Sequence, residues 1–218
     1  MPLKKQQCQN WKLYVIADKK SAGRRSLAKI VRAAILGGAD VIQLRDKHAG
    51  DRELLAQARA LLKITKPFRI PLIVNDRAKV AQMAGADGVH LGQEDGDLKA
   101  ARKILGPKAI VGRSTHSMAQ ALKAQKQGFD YIGVGPVFQT PTKPSYTPVG
   151  LDLVHFASKR LKIPFVAIGG IDLKNLSEVR AAGAKTVAVV RAVCIAKNPK
   201  KACEEIIKLI TKNISSKQ

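Results

Sequence analysis

The chain predicts a single-domain (β/α)8 barrel, the TIM-barrel architecture, over residues 1–218. Three observations carry that expectation. Short apolar runs alternate with stretches of helical spacing along the whole chain, eight times in all. Helix-to-strand joints repeat one pattern, in Gly38-Ala39-Asp40, Gly85-Ala86-Asp87, Gly128-Phe129-Asp130 and Gly183-Ala184-Lys185. Polar residues collect where apolar runs stop, as in Asn75-Asp76 and Gln93-Glu94-Asp95, which suits a site assembled at one rim.

The first run, Leu13-Tyr14-Val15-Ile16-Ala17, has the β-branched and aromatic content of a strand. Residues 26–36 follow as a helix, with Leu27, Ile30, Val31, Ala34 and Ile35 on one face. The second strand is expected at 41–44, and a helix over 51–63 aligns Leu54, Leu55, Ala58, Leu61 and Leu62. Strands recur at 72–74, 88–91, 110–111, 131–134, 165–168 and 186–190. Helices are expected at 78–84, 98–105, 118–127, 151–158, 176–182 and 199–212. Glycine just past a helix end supplies a left-handed cap before the next strand. A doubly wound open sheet is the competing architecture. It would carry a glycine-rich dinucleotide fingerprint after the first strand, where Asp18-Lys19-Lys20-Ser21-Ala22-Gly23 stands instead. No linker divides the chain, and residues 1–10 and 214–218 read as frayed tails.

With 45% apolar residues the chain can build a sizeable core, which argues against disorder. Lysine and arginine outnumber aspartate and glutamate by 39 to 16, a net charge of +23. The lysines are spread along the chain, with no long basic block and no aromatic stacking platform. A solvated basic surface therefore explains them better than a specific nucleic-acid partner. A non-catalytic polyanion binder is the alternative from another functional class, and it leaves the rim motifs unexplained. Cys8, Cys194 and Cys203 lack CxxC spacing, and their odd number suits a reducing compartment. No run approaches the ~20 apolar residues of a membrane span. The expectation is a cytoplasmic protein with no membrane partner; whether it forms a homo-oligomer stays open.

Asp76 and Asp95 follow apolar runs in adjacent units, amid many cations. Asn75-Asp76 reads equally as a helix N-cap or a ligand pair, and near Asp95 the cap role has a second claimant in Asp97. Two acids at equivalent positions on neighbouring strands tip the balance toward a hard metal ion, Mg2+, holding a phosphate or diphosphate. The lack of His and Cys ligand spacing argues against zinc. Gln43, Arg45 and Lys47 alternate onto one side of an extended segment, where an amide suits a heterocycle edge and two cations suit phosphates. The competing reading there is a buried Arg45–Asp46 pair with Lys47 in solvent. The longest irregular stretch runs from Gly135 to about Gly150; its Thr140, Thr142 and Lys143, set among prolines, suit a phosphate. Gly169-Gly170 after strand seven and Val190-Arg191 after strand eight fall where barrels bind phosphate through backbone amides, or else form tight turns. Ser114 is a candidate hydrogen-bond donor, and His90 and His116 rank below the acids as functional groups.

Taken in order, the segments Gln43-Leu44-Arg45-Asp46-Lys47, Asn75-Asp76, His90 to Asp95, Ser114-Thr115-His116, Thr140-Pro141-Thr142-Lys143 and Gly169-Gly170-Ile171 resemble the thiamine phosphate synthase family. The resemblance runs from Leu13 to about Ala196. It implies a (β/α)8 barrel and two small phosphorylated heterocycles as partners. The implied reaction joins 4-amino-2-methyl-5-hydroxymethylpyrimidine diphosphate to a thiazole monophosphate, with Mg2+. It further implies that Gln43, Leu44, Arg45, Asp46, Lys47 and Asn75 contact the pyrimidine diphosphate and that Asp76 and Asp95 hold the metal. Ser114 would sit beside the pyrimidine and Lys143 on the diphosphate, with Ser114, Lys143 and Arg45 as the catalytic set. Thr140, Pro141, Thr142, Gly170, Val190 and Arg191 would hold the thiazole phosphate.

This chain departs from the family pattern at Arg191, where serine is expected, and at Arg113, where an apolar residue is usual. A related tautomerase acts on the thiazole phosphate alone and is expected to lack the paired acids and the diphosphate lysine. Asp76, Asp95 and Lys143 favour the synthase.

Overall fold

Alternation along each strand decides where every side chain goes. In Leu13–Asp18 (β1), Tyr14 and Ile16 point into a barrel while Leu13, Val15 and Ala17 pack outward against helices. The computed structural model describes residues 7–142 and 144–212; the expected tail at 214–218 lies outside them, as does Lys143. Seven more strands follow: Val41–Arg45 (β2), Leu72–Asn75 (β3), Gly88–Leu91 (β4), Ile110–Thr115 (β5), Tyr131–Val134 (β6), Phe165–Ile168 (β7) and Val187–Val189 (β8). All pair in parallel in the order β1 to β8, and β8 closes on β1.

The outer ring is built from Leu27–Leu36 (α1), Asp51–Thr65 (α2), Ala78–Ala84 (α3), Leu98–Leu105 (α4), Met118–Gln127 (α5), Gly150–Arg160 (α6), Leu176–Ala181 (α7) and Pro199–Thr211 (α8). Ser26, Asp97, Ser117 and Asn198 each cap a helix by accepting from a first-turn amide, worth about 1 kcal/mol apiece. The recurrent Gly-x-Asp joint has a second purpose beyond ending helices. Its aspartate satisfies amides where the preceding strand begins: Asp40 accepts from Lys12 and Leu13 at 2.8 and 2.9 Å, Asp87 from Leu72 at 2.8 Å, and Asp130 from Val111 at 2.7 Å. In the last joint Lys185 replaces the acid, and the neighbouring Thr186 hydroxyl donates to the Trp11 carbonyl at 2.6 Å.

Three differences from the sequence expectation bear on the site. β5 runs on through Gly112-Arg113-Ser114-Thr115, because Gly112 lets the Tyr131 ring lie where any Cβ would be 2.2 Å from it. Short helical turns, Lys19–Ala22 and Arg191–Cys194, follow β1 and β8 in place of plain loops. The tail expected to fray as far as residue 10 is already packed by Cys8, which with Trp11 is buried against Tyr14, Tyr131 and Ile110 at the floor of the barrel.

Candidate active site

A cavity of about 440 Å3 occupies the barrel mouth at the C-terminal ends of the strands. It is lined by Gln43 and Arg45 of β2, Asn75 of β3, His90 of β4, Ser114 of β5, and Gly170, Val190 and Arg191 after β7 and β8. A second, more open hollow of about 290 Å3 adjoins it at Asn75 and is lined by Asp46, Lys47, Asp76, Arg77 and Asp95.

The two acids expected to bind metal face that second hollow together. Neither is spent on capping a helix: α3 starts from Arg77 without a side-chain cap, and Asp97 caps α4 by accepting from Ala100 at 2.8 Å. Asp76 takes φ +65°, a left-handed conformation that costs a non-glycine residue on the order of 1 kcal/mol and marks a functional position more often than chance. Asp95 accepts from the Gly92 amide at 2.8 Å, and its carboxylate lies within hydrogen-bonding reach of Asp76. Burial lifts the Asp76 carboxyl above its ordinary range, Lys47 pulls it back, and Asp95 adds to the rise. Burial also opposes ionisation of Asp95, but hydrogen bonds from Asp76 and Gly92, with the charges of Lys47 and Arg113, hold it below the usual range. Two carboxylates this close repel, and a nearby cation relieves that repulsion. The Lys47 ammonium also donates to Asp76.

Arg45 does not pair with Asp46. Its register partner on β1 is Asp18, and its guanidinium reaches that buried carboxylate at 2.5 Å. Asp18 also accepts from the Ser21 hydroxyl at 2.7 Å, so Arg45 is held at the cavity wall from behind. Asp46 instead organises the loop into α2, accepting from the amides of His48 and Ala49 at 3.2 Å and from Gln57 at 3.0 Å. Leu44 is fully buried between β2 and the helices, so its side chain does not reach the cavity.

The sequence reading missed a chain of hydrogen bonds across the barrel interior. Gln43 donates to the Tyr14 hydroxyl at 2.6 Å, Tyr14 and Tyr131 hydroxyls meet at 2.9 Å, Tyr131 reaches His90 Nδ1 at 2.9 Å, and His90 Nε2 meets Ser114 Oγ at 2.9 Å. Burial pushes both phenols far above their ordinary range, so they stay protonated. The chain fixes Gln43 and Ser114 on opposite walls. Tyr14 and Tyr131 look like ordinary strand aromatics in sequence; the available signal was their inward phase, with Gly112 in register beside Tyr131.

On the far side, the segment after β6 is pinned rather than loose. Val137 donates to the Ile168 carbonyl at 2.8 Å and Phe138 to the Gly169 carbonyl at 3.0 Å. Gly170, at φ +66°, leaves no room for a Cβ, which would fall 2.7 Å from the Gln139 carbonyl oxygen. Thr140, Pro141 and Thr142 therefore line the cavity beside Gly170. The Thr142 hydroxyl is buried there with no hydrogen-bond partner among the described residues. His116 Nδ1 donates to the Gly135 carbonyl, and the imidazole lies 4.8 Å from the Tyr146 ring.

Against this geometry, the family profile described as thiamine monophosphate synthase matches residues 13–193. The chain belongs to the thiamine monophosphate synthase family. It is 43% identical over 203 residues to the thiamine-phosphate synthase of Chloroflexus aurantiacus, covering 93% of this chain and 94% of that protein. It is 44% identical over 196 residues to the thiamine-phosphate synthase of Halalkalibacterium halodurans, covering 89% and 93%. The solved thiamine phosphate pyrophosphorylase of Pyrococcus furiosus superposes with a TM-score of 0.84 at 38% identity, covering 93% of this chain and 96% of that one. Membership of the synthase family and the barrel thus agree with the sequence resemblance. Among the described residues no helix is long and apolar enough to cross a membrane.

Proposed function

We propose that the protein is a thiamine-phosphate synthase. It joins 4-amino-2-methyl-5-hydroxymethylpyrimidine diphosphate to 4-methyl-5-hydroxyethylthiazole phosphate, or its carboxylated form, and releases thiamine phosphate and diphosphate. The observation that carries this reading is the pair Asp76 and Asp95, neither used to cap a helix, facing each other beside Lys47 in a hollow that adjoins a heterocycle-sized cavity.

The donor set fits Mg2+. Asp76 and Asp95 offer hard oxygen ligands, and no cluster of three or more His, Cys, Asp or Glu residues is assembled among the described residues. A divalent ion on two carboxylates completes its shell with water and substrate oxygens, as Mg2+ does. Bound there, Mg2+ would spread the negative charge of a diphosphate.

The chain's own groups account for the remainder. Gln43 and Ser114, held by the interior chain, address the two edges of an aminopyrimidine. Arg45, braced by Asp18, and Lys47 supply positive charge where diphosphate leaves; Lys143 is assigned the same task from sequence. As the C–O bond breaks, its electron pair departs with diphosphate, and the electron-rich ring stabilises the methylene cation. The thiazole nitrogen then donates its lone pair to that carbon. Thr140, Pro141, Thr142, Gly170, Val190 and Arg191 hold the thiazole phosphate on the opposite wall, where the unpartnered Thr142 hydroxyl favours an anion. Positioning and exclusion of water suffice, and no strong base is needed. A reducing cytoplasm fits three buried free thiols, with Cys194 and Cys203 pushed up by burial to about 11 and about 12.

The test mixes the purified protein with both heterocycles, with and without Mg2+, and follows product as fluorescent thiochrome. Metal-dependent product is expected. Turnover of the thiazole phosphate alone, without coupling, would reassign the site to an isomerase.

A further inference from the structure

We propose that Arg113 is a positioning residue for Asp95: it clamps the β4–α4 loop so that the Asp95 carboxylate faces Asp76. The inference rests on the metal-binding reading of that acid pair.

The clamp follows from the extension of β5. Alternation sends Ser114 into the cavity and Arg113 to the outside, alongside its register partner Leu91 at the end of β4. From there the guanidinium turns under the loop between Leu91 and Leu98. One nitrogen donates to the Gly96 carbonyl at 2.5 Å and another to the Gln93 carbonyl at 2.9 Å, so its fork grips the loop on both sides of Asp95. The Phe129 ring lies beneath, 5.6 Å from the guanidinium carbon, and limits the directions the arm can take. A second tie comes from the same strand, since the Gln93 amide donates to the Ser114 carbonyl at 2.5 Å.

The loop needs such ties. Gly96 sits at φ +95°, and the turn between Gly92 and Asp97 has only one long internal backbone bond, Asp95 N to Gly92 O at 3.4 Å. The Asp95 carboxylate holds its own turn through the Gly92 amide. That turn is anchored to the barrel from outside by Arg113. An apolar side chain at 113 could rest on Phe129 but could not bond either carbonyl.

The test uses Mn2+ alone as the probe, titrated into the full-length protein and read by the loss of free-ion EPR signal. Arg113→Met should bind Mn2+ about tenfold more weakly, the effect typical of losing a residue that orients a ligand. Arg113→Lys keeps the charge but not the fork, and it should also lose several-fold; it decides the matter if the methionine variant fails to fold. Amide exchange across residues 92–97 should quicken in both, with distant helices unchanged. In an Asp95→Asn background, Arg113→Met should cost nothing further, because the residue it orients no longer ligates. Affinity within twofold of the parent, or an equal loss in the Asp95→Asn background, overturns the proposal. A parent that binds no Mn2+ removes the acid-pair reading and this clamp together. A parent that binds Mn2+ yet makes no thiamine phosphate strikes only the synthase reading, and the same titration still decides the role of Arg113.

Discussion

Lys47 closes an ion pair with Asp76 across the rim between β2 and β3, while Asp76 lies within hydrogen-bonding reach of Asp95. On the metal-binding reading proposed above, a lysine ammonium and a divalent cation would compete for the same carboxylate. Lys47→Met should bind Mn2+ more tightly in the absence of substrate, by about fivefold, because a pair whose lysine is open to solvent is worth about 1 kcal/mol. If Lys47 also contacts the diphosphate as proposed, the same variant should raise the KM for the pyrimidine diphosphate by about tenfold. Weaker Mn2+ binding in the variant would show that Lys47 supports the metal instead of rivalling it.

The backbone of Asp76 separates its structural and chemical roles. Asparagine tolerates a left-handed conformation as well as aspartate does, whereas alanine is strained there by about 1 kcal/mol. Asp76→Asn should therefore keep its melting temperature, with the carboxyl repulsion from Asp95 relieved, while synthesis falls by at least about a hundredfold. Asp76→Ala should lose both activity and about 2–4 °C in Tm. An alanine variant as stable as the asparagine one would mean that the conformation carries no strain.

Tyr131 offers a test of the interior chain. Its hydroxyl joins Tyr14 to His90, so Tyr131→Phe keeps the ring packing but leaves two buried polar groups short of a partner. A loss of about 1–3 kcal/mol in urea unfolding is expected. Because His90 holds Ser114, the KM for the pyrimidine substrate should rise while that for the thiazole stays near the parent value. Equal stability of the two proteins would mean that water or a neighbour replaces the lost hydroxyl.

Asp46 gives the loop into α2 a pH dependence. Burial works against its ionisation, but Gln57, the His48 and Ala49 amides and the His48 charge outweigh that and hold the carboxyl below its ordinary 3.8. A carboxyl depressed in the folded state contributes stability above its unfolded value and loses it as pH falls through its folded value. The stability gap between the parent and Asp46→Asn should persist above about pH 5, where the carboxyl is ionised and accepts from Gln57 and the two amides, and shrink below about pH 4. Urea unfolding at pH 7 and pH 3 measures it, and a gap that widens on acidification would refute the assignment.

The barrel and most of the rim were legible because strands end abruptly in polar groups and helices end in Gly-x-Asp. Asp76, Asp95, Lys47 and Gln43 stand at those ends, so alternation alone places them at one mouth. What stayed hidden depends on pairing across distant segments. Arg45 has an acid beside it in sequence but takes Asp18, which lies 27 positions away and opposite it in register. The Tyr14–Tyr131 contact spans 117 positions and joins two residues that are each unremarkable within their own strands. Arg113 reads as a misplaced charge until β5 is seen to extend past it and aim it outward.

The seam between β1 and β8 has a consequence for how this protein is made. Trp11, the sole indole, packs edge-on against Tyr14 and Tyr131, and its carbonyl accepts from Thr186 near the opposite end of the chain. During synthesis on the ribosome, β1 emerges first and waits with a bare edge until β8 has been translated. Trp11 emission is therefore a natural clock for the moment the ring shuts, free of interference from any second indole.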